Sequence, residues 1–262
     1  MLDAYCPHLG AHLGVGGRVV EESIQCPFHG WRFDTAGQCV EVAYAKRIPG
    51  SARIREYPTV ERNGFISMWF DEGGGLPTFE LPELEELASP DWVESFRQTW
   101  RVGTQIQEMG ENGVDSAHFP AVHGSAGLPD SEVTVDGPRR KATQYTHLET
   151  SKGRASSVIE VHSIGMGFGF TRFSGICDTV SMNLMTPIDG ENTQFTVVFL
   201  QRADGAGKGV ARAICADLKK QVNEDIPIWE NKAYHPKPIL CDGDGPIVEY
   251  RRWCSQFYPT TP

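Results

Sequence analysis

The sequence has no apolar run near the roughly 18 residues that cross a bilayer. It has no signal-peptide pattern either, because Asp3, Cys6 and His8 interrupt the N-terminal stretch. Internal repeats and low-complexity tracts are missing, which sets aside solenoid and fibrous classes. Basic residues are in the minority: 24 Lys and Arg stand against 34 Asp and Glu, a net charge of -10, which argues against nucleic acid as a partner. A disulfide scaffold is also missing, since seven cysteines, an odd number, are scattered over 262 residues. A reducing compartment fits that usage, so the expected location is cytoplasmic, with a membrane anchor ahead of Met1 left open.

What remains is a globular composition, 40% hydrophobic and 22% charged. The length suits one large domain or two smaller ones. The first part is rich in Gly and short alternating runs (RVVEESIQC, FISMWF), which read as a small β-domain with long loops. DEGGGLPTFELPELEELASPDW, residues 71–92, is a Gly, Pro and acidic connector. The domains are therefore expected at 1–75 and 76–262. In the second, QIQEMGENGVDSAHF (105–119) reads as a helix stopped by Pro120. SEVTV, KATQYTHLE, SSVIEVHSIG, VSMNLMTPI and TQFTVVFLQ read as strands, and residues 209–233 carry helical period. The tail GPIVEYRRWCSQFY suits strand or helix.

Two constellations carry chemistry. Cys6-x-His8, seventeen residues, then Cys26-x-x-His29 bring two soft and two borderline ligands together. Structural zinc is one reading. The other is a Rieske cluster, because each loop supplies one Cys and one His rather than a pair of one kind. His12 is read as a non-ligand. The second constellation is ENGVDSAHFPAVHG. On a helix Asn112, Asp115 and His118 share a face, while His118 and His123, five apart, do not align. Two histidines near a helix end suit non-haem iron if one carboxylate completes a triad. Helix phase points to that carboxylate. Ile214, Leu218, Val222 and Trp229 form an apolar stripe, Asp225 falls within it, and Asp217, Glu224 and Glu230 point away. A lone acid on a buried face needs a partner, and a metal is a suitable one. Pro227 is expected to kink the helix beside Asp225.

With these residues in view, the chain resembles the oxygenase component of Rieske non-haem iron oxygenases, in the 3-ketosteroid 9α-hydroxylase and cholesterol 7-desaturase branch. YCPHLGAHLGVGG and CPFHGWRFDTAGQC resemble the cluster loops, ENGVDSAHFPAVHG the iron-binding segment, and NEDIPIWENKAYHPKPILCDGDGPIVEYRRWCSQFY the branch's C-terminal signature. The resemblance implies an α+β fold: an N-terminal Rieske [2Fe-2S] β-domain, incomplete at its N-terminus, then a helix-grip (START-like) catalytic domain with an antiparallel sheet and a long C-terminal helix. LDAY is the sole candidate strand before Cys6. It implies Cys6 and Cys26 on one iron of the cluster, His8 and His29 on the other, and His118, His123 and Asp225 on a mononuclear Fe(II). Asp115 would bridge to the cluster of the next subunit in a head-to-tail homotrimer, and Asn112 would support the iron site. The activity implied is hydroxylation or desaturation of a bulky apolar substrate, a steroid or sterol, with O2 and electrons from an NAD(P)H-dependent flavin/iron-sulfur reductase or ferredoxin. The alternatives are a Rieske ferredoxin-type electron carrier and a ring-hydroxylating oxygenase acting on an aromatic substrate. VIEVHSIGMGFGFTRFSGICDTVSMNLM is read as strands lining a greasy pocket, with His147 and His162 as core or surface histidines.

Overall fold

A computed structural model describes residues 1–124, 131–150, 153–175 and 177–258, with backbone alone at 146–150 and 153–155. The chain divides into two compact units, Met1–Glu83 and Leu84–Pro262. No helix among the described residues is long and apolar enough to cross a membrane.

The first unit is built on short strands: β1 Arg18–Val20, β2 Ser23–Gln25, β3 Arg32–Asp34 and β4 Cys39–Glu41, an antiparallel meander. A separate hairpin joins β5 Thr59–Arg62 to β6 Phe65–Met68. Its turn is Asn63-Gly64, both at positive φ (56° and 74°), the pair that suits a tight right-twisted hairpin. At the N-terminal end Leu2 bridges Glu56, and the Tyr57 N–H donates to the Met1 carbonyl at 2.8 Å. The core packs Leu13, Trp31, Phe33, Val42 and Ile54 around three cysteines, Cys6, Cys26 and Cys39. Strands this short bury little area, so the core depends on what lies between its loops.

The second unit opens with α1 Glu85–Ala88 and β7 Trp92–Val102. Then come α2 Ile106–Asn112 and a π-helical turn, Phe119–His123. The strands β8 Glu132–Asp136, β9 Arg139–Thr150, β10 Gly153–Ile164, β11 Phe168–Ser174, β12 Thr179–Pro187 and β13 Thr193–Arg202 follow. With β7 they form an antiparallel sheet ordered β7-β13-β12-β11-β10-β9-β8. The long helix α3, Gly209–Trp229, lies on one face, and α4, Ile247–Cys254, closes the chain with a 3-10 turn. This is the expected helix-grip plan.

Gln201 ties the end of β13 to α3. It is fully buried, and its amide donates to the Ala211 carbonyl at 2.8 Å while its oxygen accepts the Gly207 N–H at 3.2 Å. Cys215, Val222 and Trp229 of α3 pack against Phe195, Val197 and Phe199 of β13, with Ile214, Leu218 and Ile226 at the margin. Each such side chain contributes about 1.5–3 kcal/mol by leaving water. The helix runs unbroken through Pro227. The carbonyl of Asn223 cannot receive an N–H from Pro227, and the Asn223 side chain accepts from Trp100 Nε1 at 3.0 Å, fastening that turn to β7.

Register shows which side of the sheet meets α3. Phe199, Val197 and Phe195 pair with Ser181, Asn183 and Met185, and Ser181 and Asn183 pair with Thr171 and Gly169. The helix-facing surface of β11 and β12 is thus small and polar in its middle. Phe168, Phe170 and Met182 stand on the opposite face. On that opposite face Arg172 pairs with Glu86 of α1 through two contacts, 2.7 and 3.1 Å. His162 stacks on Phe170 there, at 4.3 Å and 10°. His147 is among the residues whose side chains lie outside the description.

Candidate metal centres

The first centre grows from two loops with one design. Gly10 N–H donates to the Cys6 carbonyl at 2.9 Å, and Gly30 N–H donates to the Cys26 carbonyl at 3.1 Å. Both glycines sit at positive φ (76° and 72°), so each loop turns back four residues after its cysteine. Gly17 lets the first loop close on itself against the strand that leads to the second, since a Cβ there would fall 2.1 Å from the Leu13 carbonyl oxygen and 3.2 Å from that of Gln25. The result places Cys6 and Cys26 in the core, 2% and 3% exposed. Burial pushes the Cys6 thiol above its ordinary value, and the neighbouring Cys26 thiol adds to the rise. Two buried thiols side by side suit a metal that takes them as thiolates.

The histidines complete the set. The His8 and His29 rings meet edge to face at 4.6 Å. His8 lies flat on Trp31 (4.6 Å, 8°), and Trp31 is held by its own N–H donating to Tyr44 Oη at 2.8 Å. His8 Nδ1 is buried without a hydrogen-bond partner among the described residues. An orphaned imidazole nitrogen beside two buried thiols fits a [2Fe-2S] cluster held by two Cys and two His. Other candidates are spent elsewhere: His12 Nδ1 accepts the Gly14 N–H at 3.0 Å, and Cys39 Sγ lies 3.6 Å from the Glu41 carbonyl.

The second centre is assembled by α2, the π-helical turn and α3. One nitrogen each of His118 and His123 and one oxygen of Asp225 lie within 4.8 Å of one another. His118 Nδ1 is 2.5 Å from the Asp115 carbonyl, so Nδ1 carries the proton and Nε2 the lone pair. His123 Nδ1 is 3.0 Å from Glu224 Oε2, which fixes the same tautomer. The Nε2 atoms face Asp225 Oδ1 at 4.0 Å (His118) and 3.3 Å (His123). Asn112 Nδ2 donates to Asp225 Oδ2 at 3.1 Å and lies 3.3 Å from His118 Nε2. Two lone pairs and a carboxylate oxygen therefore converge. Acceptors facing acceptors repel unless a cation stands between them. Burial holds the Asp225 carboxyl above its ordinary value, against the pull of His123, His118 and Asn112. A divalent ion would reverse that burden. Two imidazoles and one carboxylate suit a non-haem iron with open positions.

Three features differ from the sequence reading. The helix expected over 105–119 stops at Asn112, because Gly113 follows and Asp115 Oδ1 turns the chain by accepting the Ala117 N–H at 3.0 Å. The π-helical turn then brings into register two histidines that an α-helix would set apart, since a wider turn repeats closer to every five residues. Glu224, read as pointing away from the apolar stripe of α3 and given no role, buttresses His123. Its carboxyl is held below its ordinary value by His123 and by Lys220, whose Nζ is 3.5 Å away. Its place beside Asp225 in NEDIP was the available signal.

Two family models match the chain. Residues 1–58 match the Rieske [2Fe-2S] domain, and residues 68–258 match the 3-Ketosteroid 9alpha-hydroxylase C-terminal domain. The chain is 31% identical to cholesterol 7-desaturase nvd of Xenopus laevis, over 98% of this chain and 63% of that protein. It is likewise 31% identical to a 3-ketosteroid-9-alpha-monooxygenase oxygenase component of Rhodococcus rhodochrous, over 98% of this chain and 72% of that one. The chain thus spans less than two thirds of the Xenopus relative's length. Pseudomonas putida CBB5 NdmA, as a QL mutant with theobromine, shares the fold: TM-score 0.80, 20% identity, 97% of this chain and 76% of that one. The cofactors that go with this architecture are a Rieske [2Fe-2S] cluster and a mononuclear iron, and the residues described above fit both. By these matches and this geometry, the chain belongs to the Rieske non-haem iron oxygenases, in the branch that pairs a Rieske domain with a 3-ketosteroid 9α-hydroxylase C-terminal domain.

Proposed function

We propose that this chain is the terminal oxygenase of a multicomponent system that hydroxylates or desaturates a steroid or sterol. The carrying observation is the second centre: an electron carrier has no use for the lone pairs of His118 and His123 converging on Asp225. In this reading Cys6, His8, Cys26 and His29 hold the cluster, and His118, His123 and Asp225 hold iron. When bound, the cluster supplies single electrons and the iron supplies the activation of dioxygen.

The chain's own residues orient and protect these groups. Asn112 positions the Asp225 carboxylate and the His118 ring together. The Asp115 carbonyl and Glu224 hold the two Nδ1 protons away from the metal. The Asp115 carboxylate is 35% exposed, with Oδ2 3.7 Å from His118 Nδ1. That half-open position supports a role as the bridge to a cluster histidine of the next subunit, in a head-to-tail homotrimer. Electrons come from an NAD(P)H-dependent reductase or ferredoxin. The location is cytoplasmic, in keeping with seven free cysteines. The steroid or sterol class is supported by the names of the two relatives.

The test is aerobic incubation of the reconstituted chain with a generic reductase and a panel of steroids, sterols and aromatic acids, read by mass. Gain of one oxygen or loss of two hydrogens on a steroid or sterol is expected. Turnover confined to aromatic acids, or absent while both metal centres are full, would overturn it.

A further inference from the structure

The C-terminal stretch YHPKPILCDGDGPIVEYRRWC supplies none of the metal ligands described above, yet it closes on the turn that carries Asn112 and Asp115. Arg251 of α4 takes both carboxylate oxygens of Glu111. Its Nε donates to Oε2 at 2.5 Å and its Nη2 to Oε1 at 2.8 Å. Glu111 is buried and is the last residue but one of α2. The guanidinium is itself held from behind: Nη1 donates to the His235 carbonyl at 2.5 Å, and the Tyr234 ring lies 5.0 Å away. The same stretch packs the turn on two more sides. A Cβ at Gly110 would fall 2.0 Å from Tyr250 Oη. A Cβ at Gly245 would fall 2.0 Å from the Val114 carbonyl oxygen and 3.5 Å from the Ser116 nitrogen.

Glu111 is also the residue on which the chain turns out of α2. Its carbonyl accepts the Val114 N–H at 3.0 Å and the Asp115 N–H at 3.2 Å. The Asp115 carbonyl then receives the His118 Nδ1 proton at 2.5 Å. Asn112, next to Glu111, lies 3.3 Å from His118 Nε2 and donates to Asp225. Asn112 and the Asp115 carbonyl, which both hold His118, thus belong to the turn that Glu111 anchors. A two-point Arg–carboxylate contact fixes the orientation of the carboxylate as well as its distance. His123 is aimed from elsewhere, by Glu224 of α3.

We propose that Arg251, through Glu111, is a positioning residue for the His118 arm of the metal site, as Glu224 is for the His123 arm. The proposal rests on the reading of His118, His123 and Asp225 as that site. A merely structural ion pair would fasten α4 to α2 and leave the ligands where they are. Here the clamped residue is the acceptor that fixes the turn, so releasing it lets the Asp115 carbonyl shift, and the imidazole with it.

The test uses the full chain with its cluster in place and the mononuclear site loaded with Co(II), titrated by the visible absorbance of the bound ion. Arg251→Met and Glu111→Gln are each expected to weaken Co(II) about fivefold, less than loss of a direct partner of a ligand, and to shift its bands. Glu111→Gln keeps one acceptor and sets an amide N–H against a guanidinium N–H, so the two-point contact opens. Both changes break one contact, so the double variant is expected to be no weaker than the weaker single. Arg251→Met combined with Glu224→Ala removes supports from separate arms, and the two fold-losses are expected to multiply. If Arg251→Met fails to fold, the near-isosteric Glu111→Gln takes its place beside Glu224→Ala. Wild-type affinity and unshifted bands in folded Glu111→Gln, with only a lower Tm, would overturn the proposal and leave a structural ion pair. So would a combination with Glu224→Ala no weaker than Glu224→Ala alone. In either case Co(II) binding by the wild type retains the metal-site reading. Absence of that binding removes the reading, and this proposal with it.

Discussion

Replacing Glu224 isolates what a buttress contributes to a metal site. The carboxylate accepts the His123 Nδ1 proton at 3.0 Å, and the His123 side chain is only 2% exposed. In Glu224→Ala that proton loses its acceptor, and the ring loses the contact that selects its tautomer and aim. Loss of such a partner typically lowers metal affinity 10–100-fold. Glu224 itself is 32% exposed, so water replaces part of the lost bond and the lower end, about tenfold, is expected. Glu224→Gln keeps an acceptor oxygen at the same reach and retains most of the affinity. The assay is titration of protein stripped of its mononuclear metal with Co(II), followed by the visible absorbance of the bound ion and free of any turnover. Wild-type affinity in Glu224→Ala would refute the reasoning. So would a Glu224→Gln variant as weak as the alanine, since a geometric role predicts rescue.

Asp225→Ala is expected to keep the visible absorbance of the cluster and to lose the mononuclear iron, as metal analysis of the purified variant would reveal. Gly17→Ala forces a Cβ to 2.1 Å from the Leu13 carbonyl oxygen, so the first cluster loop must shift and absorbance falls while the second centre still binds iron. Asp115→Asn leaves the backbone carbonyl on His118, so iron stays while electron transfer between centres slows in single-turnover kinetics. For Glu86, burial raises the carboxyl and the two Arg172 contacts outweigh it, so it sits below its ordinary 4.5. Its contribution is present above that value and is lost as pH falls through the lower folded one. Glu86→Gln is therefore expected to cost about 1–3 kcal/mol in urea unfolding at pH 7, and the gap to wild type should narrow in acid.

What could be read from the residues depends on whether the signal is local. Cys6-x-His8 and Cys26-x-x-His29 each occupy a single loop, so spacing alone carries the ligand types. Asp225 stands out because one acid interrupts an apolar stripe, and α3 buries it with Val222 and Trp229. The strands of the sheet show through their alternation. Three other features are set at a distance. A π-helical turn leaves no periodic mark over five residues, so the end of α2 at Asn112 and the register of His118 with His123 stayed hidden. Glu224 becomes useful only because His123 arrives from 101 residues away. The inner face of β11 and β12 is chosen by pairing with Phe199 and Val197 of β13, and alternation alone does not say which set meets the helix.

The central claim is that one chain carries two separate iron centres. Iron and acid-labile sulfide, counted per chain on anaerobically reconstituted protein, test it most directly. The account predicts about three irons and two sulfides, falling to about two irons with sulfide unchanged when His123 and Asp225 are both replaced by alanine. A wild-type count of two irons and two sulfides, unmoved by those substitutions, would contradict it.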